Sequence, residues 1–153
     1  MLFEILDKLE IKYELLEHGA VYTVEEAKEL DNMIEGIGCK NLFLTNKKGK
    51  YFLVMIHEDK RANIKEIESL VDCKHLSFGK EEDLKEVLGL EAGSCTPLGI
   101  VNDKENKVVL VFDKDLVDKK VLCHPNKNTA TLSLEFSDLI KFIEYLEHKY
   151  LYM

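Results

Sequence analysis

The feature of this sequence that most constrains its fold is a pair of apolar runs joined by a short polar turn. Residues 41–45 and 51–57 flank Asn46-Lys47-Lys48-Gly49, which is a good hairpin signal. Residues 108–112 are almost continuously apolar, as is typical of a strand buried on both faces. Residues 130–134 alternate small or polar with apolar side chains and predict a half-buried strand. We therefore expect a β-sheet that contains at least one antiparallel pair.

Apolar residues at helical spacing predict helices around these strands. The helices are expected at residues 2–9, 23–34, 62–71, 81–88 and 137–148, with a short extended piece near residues 13–16. The second helix begins at a capping box, Thr23-Val24-Glu25-Glu26, and ends at Gly36 and Gly38. Because helices and strands do not alternate regularly, the prediction is an α/β fold of the α+β type with a mixed sheet.

Length and charge limit the classes of protein that this chain can be. It has 153 residues, 46% of them hydrophobic, so one compact domain over residues 1–153 is expected. No apolar run approaches the roughly 20 residues that cross a bilayer, and the first residues lack a secretory pattern, which predicts a soluble cytoplasmic protein. The net charge of −8 argues against DNA or an anionic membrane as partner through bulk charge, but allows a local basic patch to bind one nucleic-acid end.

The four cysteines, Cys39, Cys73, Cys95 and Cys123, are widely scattered. Since none forms a Cys-x-x-Cys pair, the sequence predicts reduced thiols, no metal site and no cofactor. A zinc site assembled from distant residues is the alternative. Cys123 beside His124 suggests a thiol nucleophile and its base, but neighbours on an extended chain point to opposite faces, which argues against a shared proton.

Three segments are more specific than folding alone requires. Lys40 enters an apolar strand, which is costly unless its ammonium reaches solvent or an anion. The segment from Gly93 to Gly99 contains two glycines and a proline, and such a rigid path can aim several N–H groups at one oxyanion. His124 precedes Pro125, which favours an extended backbone. The alternatives are a snorkelling lysine, an ordinary loop and a structural histidine.

Taken in order, four motifs resemble the YbaK/ProX family of aminoacyl-tRNA editing domains. They are Val21-Tyr-Thr-Val-Glu-Glu-Ala27, Cys39-Lys-Asn-Leu-Phe-Leu44, residues 93–103 and residues 124–131. Each motif is weak alone, but the ordered set is specific and covers essentially the whole chain. The pattern is more similar to the ProX (PrdX) branch than to the YbaK branch. His18-Gly19-Ala20 departs from it, because many relatives have a proline near this histidine. The resemblance implies a mixed, partly closed β-sheet surrounded by helices.

The resemblance also implies a function, the hydrolysis of mischarged tRNA(Pro), above all Ala-tRNA(Pro), by an aminoacyl-tRNA deacylase. The family's catalytic lysine falls on Lys40. The substrate-binding residues implied are Asn41, Gly93, Ser94, Pro97, Gly99, His124, Asn128 and Thr129. The implied partner is the acceptor end of tRNA(Pro), with prolyl-tRNA synthetase or an elongation factor as a further source of specificity. The alternative is a module that senses an amino acid or a tRNA end without catalysis, and alanine, serine and cysteine all stay open as the residue removed.

Overall fold

Two β-sheets form the framework of the described chain. The computed structural model describes residues 1–20 and 23–153. Its strands are β1 (Tyr13–Glu17), β2 (Cys39–Thr45), β3 (Tyr51–His57), β4 (Ser77–Phe78), β5 (Val108–Phe112), β6 (Lys120–Cys123), β7 (Ala130–Glu135) and β8 (Tyr150–Tyr152). One sheet has the order β4-β2-β3-β5-β8 and the other β1-β7-β6. A parallel bridge between Ile37 and Val121 joins them without closing a barrel. The mixed α/β prediction is confirmed.

Helices connect and cover these strands. The α-helices are α1 (Leu2–Lys8), α2 (Val24–Asp31), α3 (Ile64–Val71), α4 (Glu81–Leu88) and α5 (Phe136–Tyr145), and short 3-10 helices occupy Pro97–Asn102 and Lys114–Leu116. The longest, α5, has 10 residues. Within residues 1–20 and 23–153, therefore, no helix has the length and apolar character needed to cross a bilayer.

The predicted hairpin is confirmed and forms the centre of the larger sheet. β2 and β3 pair antiparallel, with Cys39 opposite His57 at one end. The Asn46 side-chain oxygen accepts hydrogen bonds from the amides of Lys48 at 2.8 Å and Lys50 at 3.1 Å, which fixes the turn. β5 pairs parallel with β3, and its predicted burial on both faces is confirmed as well.

Alternate residues of the central strands face two apolar cores on opposite sides of the sheet. Leu53 and Met55 belong to the larger core, which includes side chains of α1, α4 and α5. Phe52 and Val54 belong to the smaller core, together with Ile67 of α3. Because successive side chains of a strand point to opposite faces, this burial fixes the orientation of every residue in β3 and, by pairing, in β2.

The strand predicted at residues 130–134 is present as β7, but the prediction that it is half-buried is wrong. All five of these residues are buried. Polar side chains of the strand are covered too, because Thr131 Oγ1 lies 2.9 Å from His18 Nε2 and the Ser133 hydroxyl donates to the Glu35 carbonyl. The alternation in the sequence therefore marks one apolar and one polar face, both covered by protein.

Helix ends and short strands are the other differences. α2 ends at Asp31 instead of about Ile34, and α5 ends at Tyr145 instead of about His148. The second difference has a local cause, since Glu147 has a φ of 58°, which no α-helix contains. The strands β4, β6 and β8 are not predicted, because runs of two to four residues are too short to show a period.

A buried contact between a carboxylate and an imidazole fixes His148, near the end of the chain, to the loop before β5. Asp103 and His148 are both 2% exposed, and Asp103 Oδ2 lies 3.0 Å from His148 Nε2. The same carboxylate accepts from the amides of Lys107 at 3.0 Å and Val108 at 2.8 Å. The other ring nitrogen, Nδ1, is 3.1 Å from the Leu146 carbonyl. Loss of the carboxylate would leave these three groups without an acceptor, two of them buried.

We expect Asp103→Ala to lower the free energy of unfolding by about 3–5 kcal/mol, because it leaves the imidazole and two amides unpaired. Urea unfolding followed by circular dichroism measures this. The control is Glu91→Gln, which breaks an ion pair with Lys85 whose two side chains are 69% and 70% exposed. That control should cost about 1 kcal/mol or less. Equal losses in the two variants would contradict the prediction.

Candidate functional site

A pocket of about 250 Å³ opens beside the first half of β2. Its walls come from β2, from the junction of β4 and α4, and from the loop that follows α4. The lining residues are Asn41, Leu42, Phe43, Phe78, Gly79, Lys80, Glu81, Leu84, Ala92, Gly93 and Cys95. Two larger clefts, of about 530 and about 420 Å³, contain none of the residues predicted for the site. The smaller pocket is therefore the candidate, because it unites Asn41 with Gly93.

Asn41 supplies the polar group of the pocket wall. Its side-chain amide oxygen is buried, and among the described residues it has no hydrogen-bond partner. A buried acceptor without a partner costs about 1–3 kcal/mol, so such atoms are uncommon in folded proteins. A ligand that donates a hydrogen bond, such as an ammonium or a hydroxyl group, would remove this cost. Asn41 thus has the chemistry of a ligand-binding residue.

The loop after α4 contributes Gly93, whose φ of 84° lies in the left-handed region. A Cβ built on Gly93 would lie 3.4 Å from the side-chain nitrogen of Asn128, so this loop touches the segment after β6. The buried Ser94 donates its amide to the Glu91 carbonyl at 3.1 Å, which helps to fix the turn. The structure therefore brings together three of the predicted residues, Asn41, Gly93 and Asn128.

Pro97 and Gly99 support this loop from inside the protein. Both are buried in the 3-10 helix that begins at Pro97, and both lie outside the lining of the pocket. A Cβ on Gly99 would come within 2.7 Å of Leu90 Cδ1, so the glycine permits close packing of this helix on the end of α4. The structure gives these two predicted binding residues contacts of a packing kind.

His124 lies at the end of β6. Ile37, just before β2, forms a parallel bridge with Val121 of β6, so the two segments run in the same direction. Lys40 and His124 each come three residues after this bridge, and they therefore lie toward the same end of the two strands. The His124 Nδ1 lies 3.0 Å from the Ala130 carbonyl, which can only accept, so Nδ1 carries a proton. In the neutral ring, Nε2 is then an acceptor. Thr129 is exposed, and its carbonyl accepts a hydrogen bond from the His18 amide at 2.9 Å.

Lys40 points away from Asn41, because neighbours on a strand face opposite sides. Its ammonium donates to the Lys60 carbonyl, at the end of the sheet, and it is not among the residues that line the pocket. The Lys60 ammonium in turn lies 2.7 Å from Asp113 Oδ1 and 2.5 Å from Asp115 Oδ2. The sequence did not predict this network, because each of the two lysines bonds to groups 20 to 55 positions away in the chain.

Asp113 is the buried centre of that network, with its side chain only 3% exposed. It accepts hydrogen bonds from the Lys60 ammonium and from the amides of His57 at 3.1 Å and Asp115 at 3.0 Å. Burial by itself would raise the pKa of Asp113, but these hydrogen bonds outweigh it, and the pKa is lowered from its ordinary value. The ionised carboxylate therefore stabilises the loop that holds Lys40.

The structure also bears on the thiols. Burial raises the pKa of Cys123 to about 12, and burial likewise raises the pKa of Cys95, on the pocket wall, to about 12. Neither is a thiolate at neutral pH, so the alternative of a Cys123–His124 nucleophile is not supported.

Three pocket residues, Phe43, Phe78 and Leu84, were not predicted from the sequence. For Phe43 a signal was present, because it follows Asn41 by two residues and so lies on the same face of β2.

Comparison with known proteins identifies the family. The sequence pattern of the aminoacyl-tRNA editing domain matches residues 18–142. The chain belongs to this family. Of the motif at residues 21–27, Val21 and Tyr22 lie outside the described residues, whereas Thr23 caps α2 by accepting from the Glu26 amide at 3.1 Å. Because editing domains remove amino acids from tRNA, this editing domain is an aminoacyl-tRNA deacylase.

Individual relatives agree with the family assignment. The prolyl-tRNA editing protein ProX of Acetoanaerobium sticklandii is 40% identical over 143 residues, which is 91% of this editing domain and 86% of ProX. The prolyl-tRNA synthetase associated domain-containing protein 1 of Danio rerio is 34% identical over 148 residues, with 95% and 80% covered. The solved structure of hypothetical protein APE2540 matches with a TM-score of 0.76 at 23% identity, covering 97% and 95% of the two chains, which supports the fold.

We expect Asp113→Asn to flatten the pH dependence of stability in acid. Because the folded pKa of Asp113 is lowered, its contribution is complete above about pH 4 and is lost as the pH falls through the folded pKa. The variant should be less stable than the wild type at pH 7, and the difference should shrink toward pH 2. Urea unfolding from pH 2 to 7 measures it, with Glu91→Gln as the control for loss of one carboxylate. A difference that does not change with pH would refute this assignment.

Proposed function

We propose that this editing domain, residues 1–153, acts in trans on mischarged tRNA(Pro) and hydrolyses Ala-tRNA(Pro) in the pocket between Asn41 and Gly93. The observation that carries the proposal is the unpartnered amide oxygen of Asn41 in a small pocket next to a fixed glycine turn. The relative from Acetoanaerobium sticklandii, 40% identical, is a prolyl-tRNA editing protein, which supports tRNA(Pro) as the substrate.

The chemistry needs placement more than a strong nucleophile, because an aminoacyl ester is already reactive. Asn41 accepts a hydrogen bond from the ammonium of the bound amino acid, and backbone amides of residues 93–97 polarise the ester carbonyl. His124, through Nε2, orients the attacking water. The water oxygen forms the new bond to the carbonyl carbon, the ester bond to the ribose oxygen breaks, and the ribose oxygen leaves with the proton. No metal or cofactor enters these steps.

Lys40 has a different task in this proposal. Its ammonium faces away from the acyl pocket and is held by the neutral carbonyl of Lys60, so it can exchange that partner for an anion. The anion nearest to an aminoacyl ester is the phosphate that joins the terminal adenosine to the rest of the tRNA. Lys40 therefore binds this phosphate and positions the ester, and the developing oxyanion is left to the loop amides.

Selectivity follows from the size of the pocket. In this proposal the acyl group enters the pocket, whose lining includes Phe43, Leu84 and Gly93. A hydrophobic pocket discriminates between ligands that differ by one methylene by about 1–3 kcal/mol. The proline side chain is larger than that of alanine by more than one methylene. Alanine, and by the same argument serine and cysteine, are accepted, and proline is excluded. Asn128 and Thr129 lie on the ribose side of the pocket in this proposal.

The second candidate function is a module that binds an aminoacyl-tRNA end without hydrolysing it. A sensor could keep the same pocket, and the unpartnered amide of Asn41 would serve binding equally well. The identity of 40% to an editing protein favours the enzyme. In either case the partner is the acceptor end of tRNA(Pro), and prolyl-tRNA synthetase or an elongation factor would supply the part of tRNA recognition that a small contact lacks.

We expect the purified protein to release alanine from Ala-tRNA(Pro) at least about ten-fold faster than proline from Pro-tRNA(Pro), because the pocket excludes the larger ring. Deacylation of tRNA labelled in the amino acid, with Ser-tRNA(Pro) and Cys-tRNA(Pro) as further substrates, measures this. Buffer without protein gives the spontaneous rate. Tight binding of Ala-tRNA(Pro) with no release of alanine above that rate would contradict the proposed hydrolysis and favour the binding module.

We expect Asn41→Ala and Lys40→Met to affect different steps of the reaction. Asn41→Ala should lower kcat/KM by about ten- to a hundred-fold, because the amino acid loses its anchor. Lys40→Met should raise KM about ten-fold and weaken the salt dependence of KM, because one phosphate contact is lost. Lys65→Met, on the exposed face of α3, is the control. If both variants keep rates within two-fold of the wild type while folded, the site lies elsewhere.

A further inference from the structure

Phe78 is an aromatic side chain that the fold leaves in water at the rim of the candidate site. It is 62% exposed, yet it lines the same pocket as Asn41 and Gly93. Single exposed apolar residues are common and need no explanation by themselves. What distinguishes Phe78 is its place beside a pocket with an unpartnered polar group, and the rigidity of the backbone that carries it.

The backbone around Phe78 is fixed against the pocket floor. β4 pairs with β2 so that Phe78 lies opposite Leu44, and the Gly79 amide donates to the Phe43 carbonyl at 2.8 Å. A Cβ on Gly79 would approach Phe43 Cδ2 within 2.5 Å, so the chain crosses directly over the Phe43 ring and any larger residue here would force that ring to move. Phe78 is thus held at a set distance from the buried Phe43, which forms part of the pocket wall.

The charges on this rim nearly cancel. Lys80 and Glu81 follow Phe78 and line the same pocket, and both side chains are exposed. The net charge of the protein is −8, so no general attraction draws a polyanion to this surface. An exposed aromatic ring binds nucleobases by stacking, which does not depend on net charge.

We infer that Phe78 is the stacking platform for the terminal adenine of the aminoacyl-tRNA. The inference rests on the proposed function, since it needs the aminoacyl ester to lie in the pocket between Asn41 and Gly93. The adenine is joined to the same ribose as the ester, so it must lie at the mouth of that pocket, where Phe78 stands. The Phe78 ring covers one face of the base.

The chain contains no tryptophan, so Phe78→Trp places a single fluorescent reporter on the rim. Titration with adenosine monophosphate should quench and shift its emission, whereas ribose 5-phosphate, which lacks the base, should leave the emission unchanged. The matched control is Tyr152→Trp, at a residue that is 42% exposed on β8 and outside the pocket. Its emission should not respond to either compound. Equal responses of the two variants, or none at Phe78→Trp up to millimolar nucleotide, would overturn the inference.

A kinetic test does not require a reporter. Phe78→Leu should raise KM for Ala-tRNA(Pro) about ten-fold and leave kcat within about two-fold, because stacking on a base contributes to binding of the whole substrate. Phe78→Tyr should restore the wild-type KM, which a simple loss of packing would not predict. If Phe78→Leu keeps the wild-type KM while Asn41→Ala is impaired, the inference of stacking on Phe78 is wrong, but the proposed pocket is retained. If neither variant is impaired, the proposed function itself fails.

Discussion

The hydrogen-bonded register of β2 against β3 is the constraint on which the candidate site depends. Because of this register, Asn41 and Phe43 face the pocket, and Lys40 faces the opposite side of the sheet, where its ammonium donates a hydrogen bond to the Lys60 carbonyl. A slip by one residue would exchange these roles and would also move Leu44 out of its core. The apolar cores on the two sides of the sheet therefore hold the polar groups in place, although they contain none of the proposed chemistry.

Polar groups that lack partners collect around the pocket segments. Within the described residues, the buried side-chain atoms without a hydrogen bond are Asn41 Oδ1, Ser77 Oγ and Asn126 Oδ1. Ser77 precedes Phe78 in β4, and Asn126 lies between His124 and Asn128 with a φ of 64°. Each of these atoms needs a partner that the rest of the described chain does not supply, and water or a ligand can be that partner. Of the three, only Asn41 belongs to the residues that line the pocket, and its unpartnered oxygen supports a ligand site there.

The sequence was sufficient for those parts of the fold that local patterns control. The hairpin at residues 46–49 and the buried β5 follow from turn chemistry and apolar runs, and both are confirmed. The polar face of β7 could not be predicted, because its cover comes from Glu35 and His18, far away in the chain. The contact of Gly93 with Asn128 is of the same kind. Resemblance to a family pointed to both segments, but spacing alone would not have joined them.

The small size of the site has a consequence for specificity. A protein with a net charge of −8 repels a polyanion over most of its surface, so on the proposed function the attraction for tRNA comes from a few cations, such as Lys80 on the pocket rim and Lys40 on the other face of β2. Such a contact reaches the terminal nucleotides and little else. On the proposed function, such a contact separates alanine from proline by size inside the pocket, but alanine attached to its own tRNA presents the same terminal adenosine. On the proposed function, the distinction between Ala-tRNA(Pro) and correctly charged Ala-tRNA(Ala) must therefore come from base pairs next to the acceptor end or from a partner that delivers the tRNA.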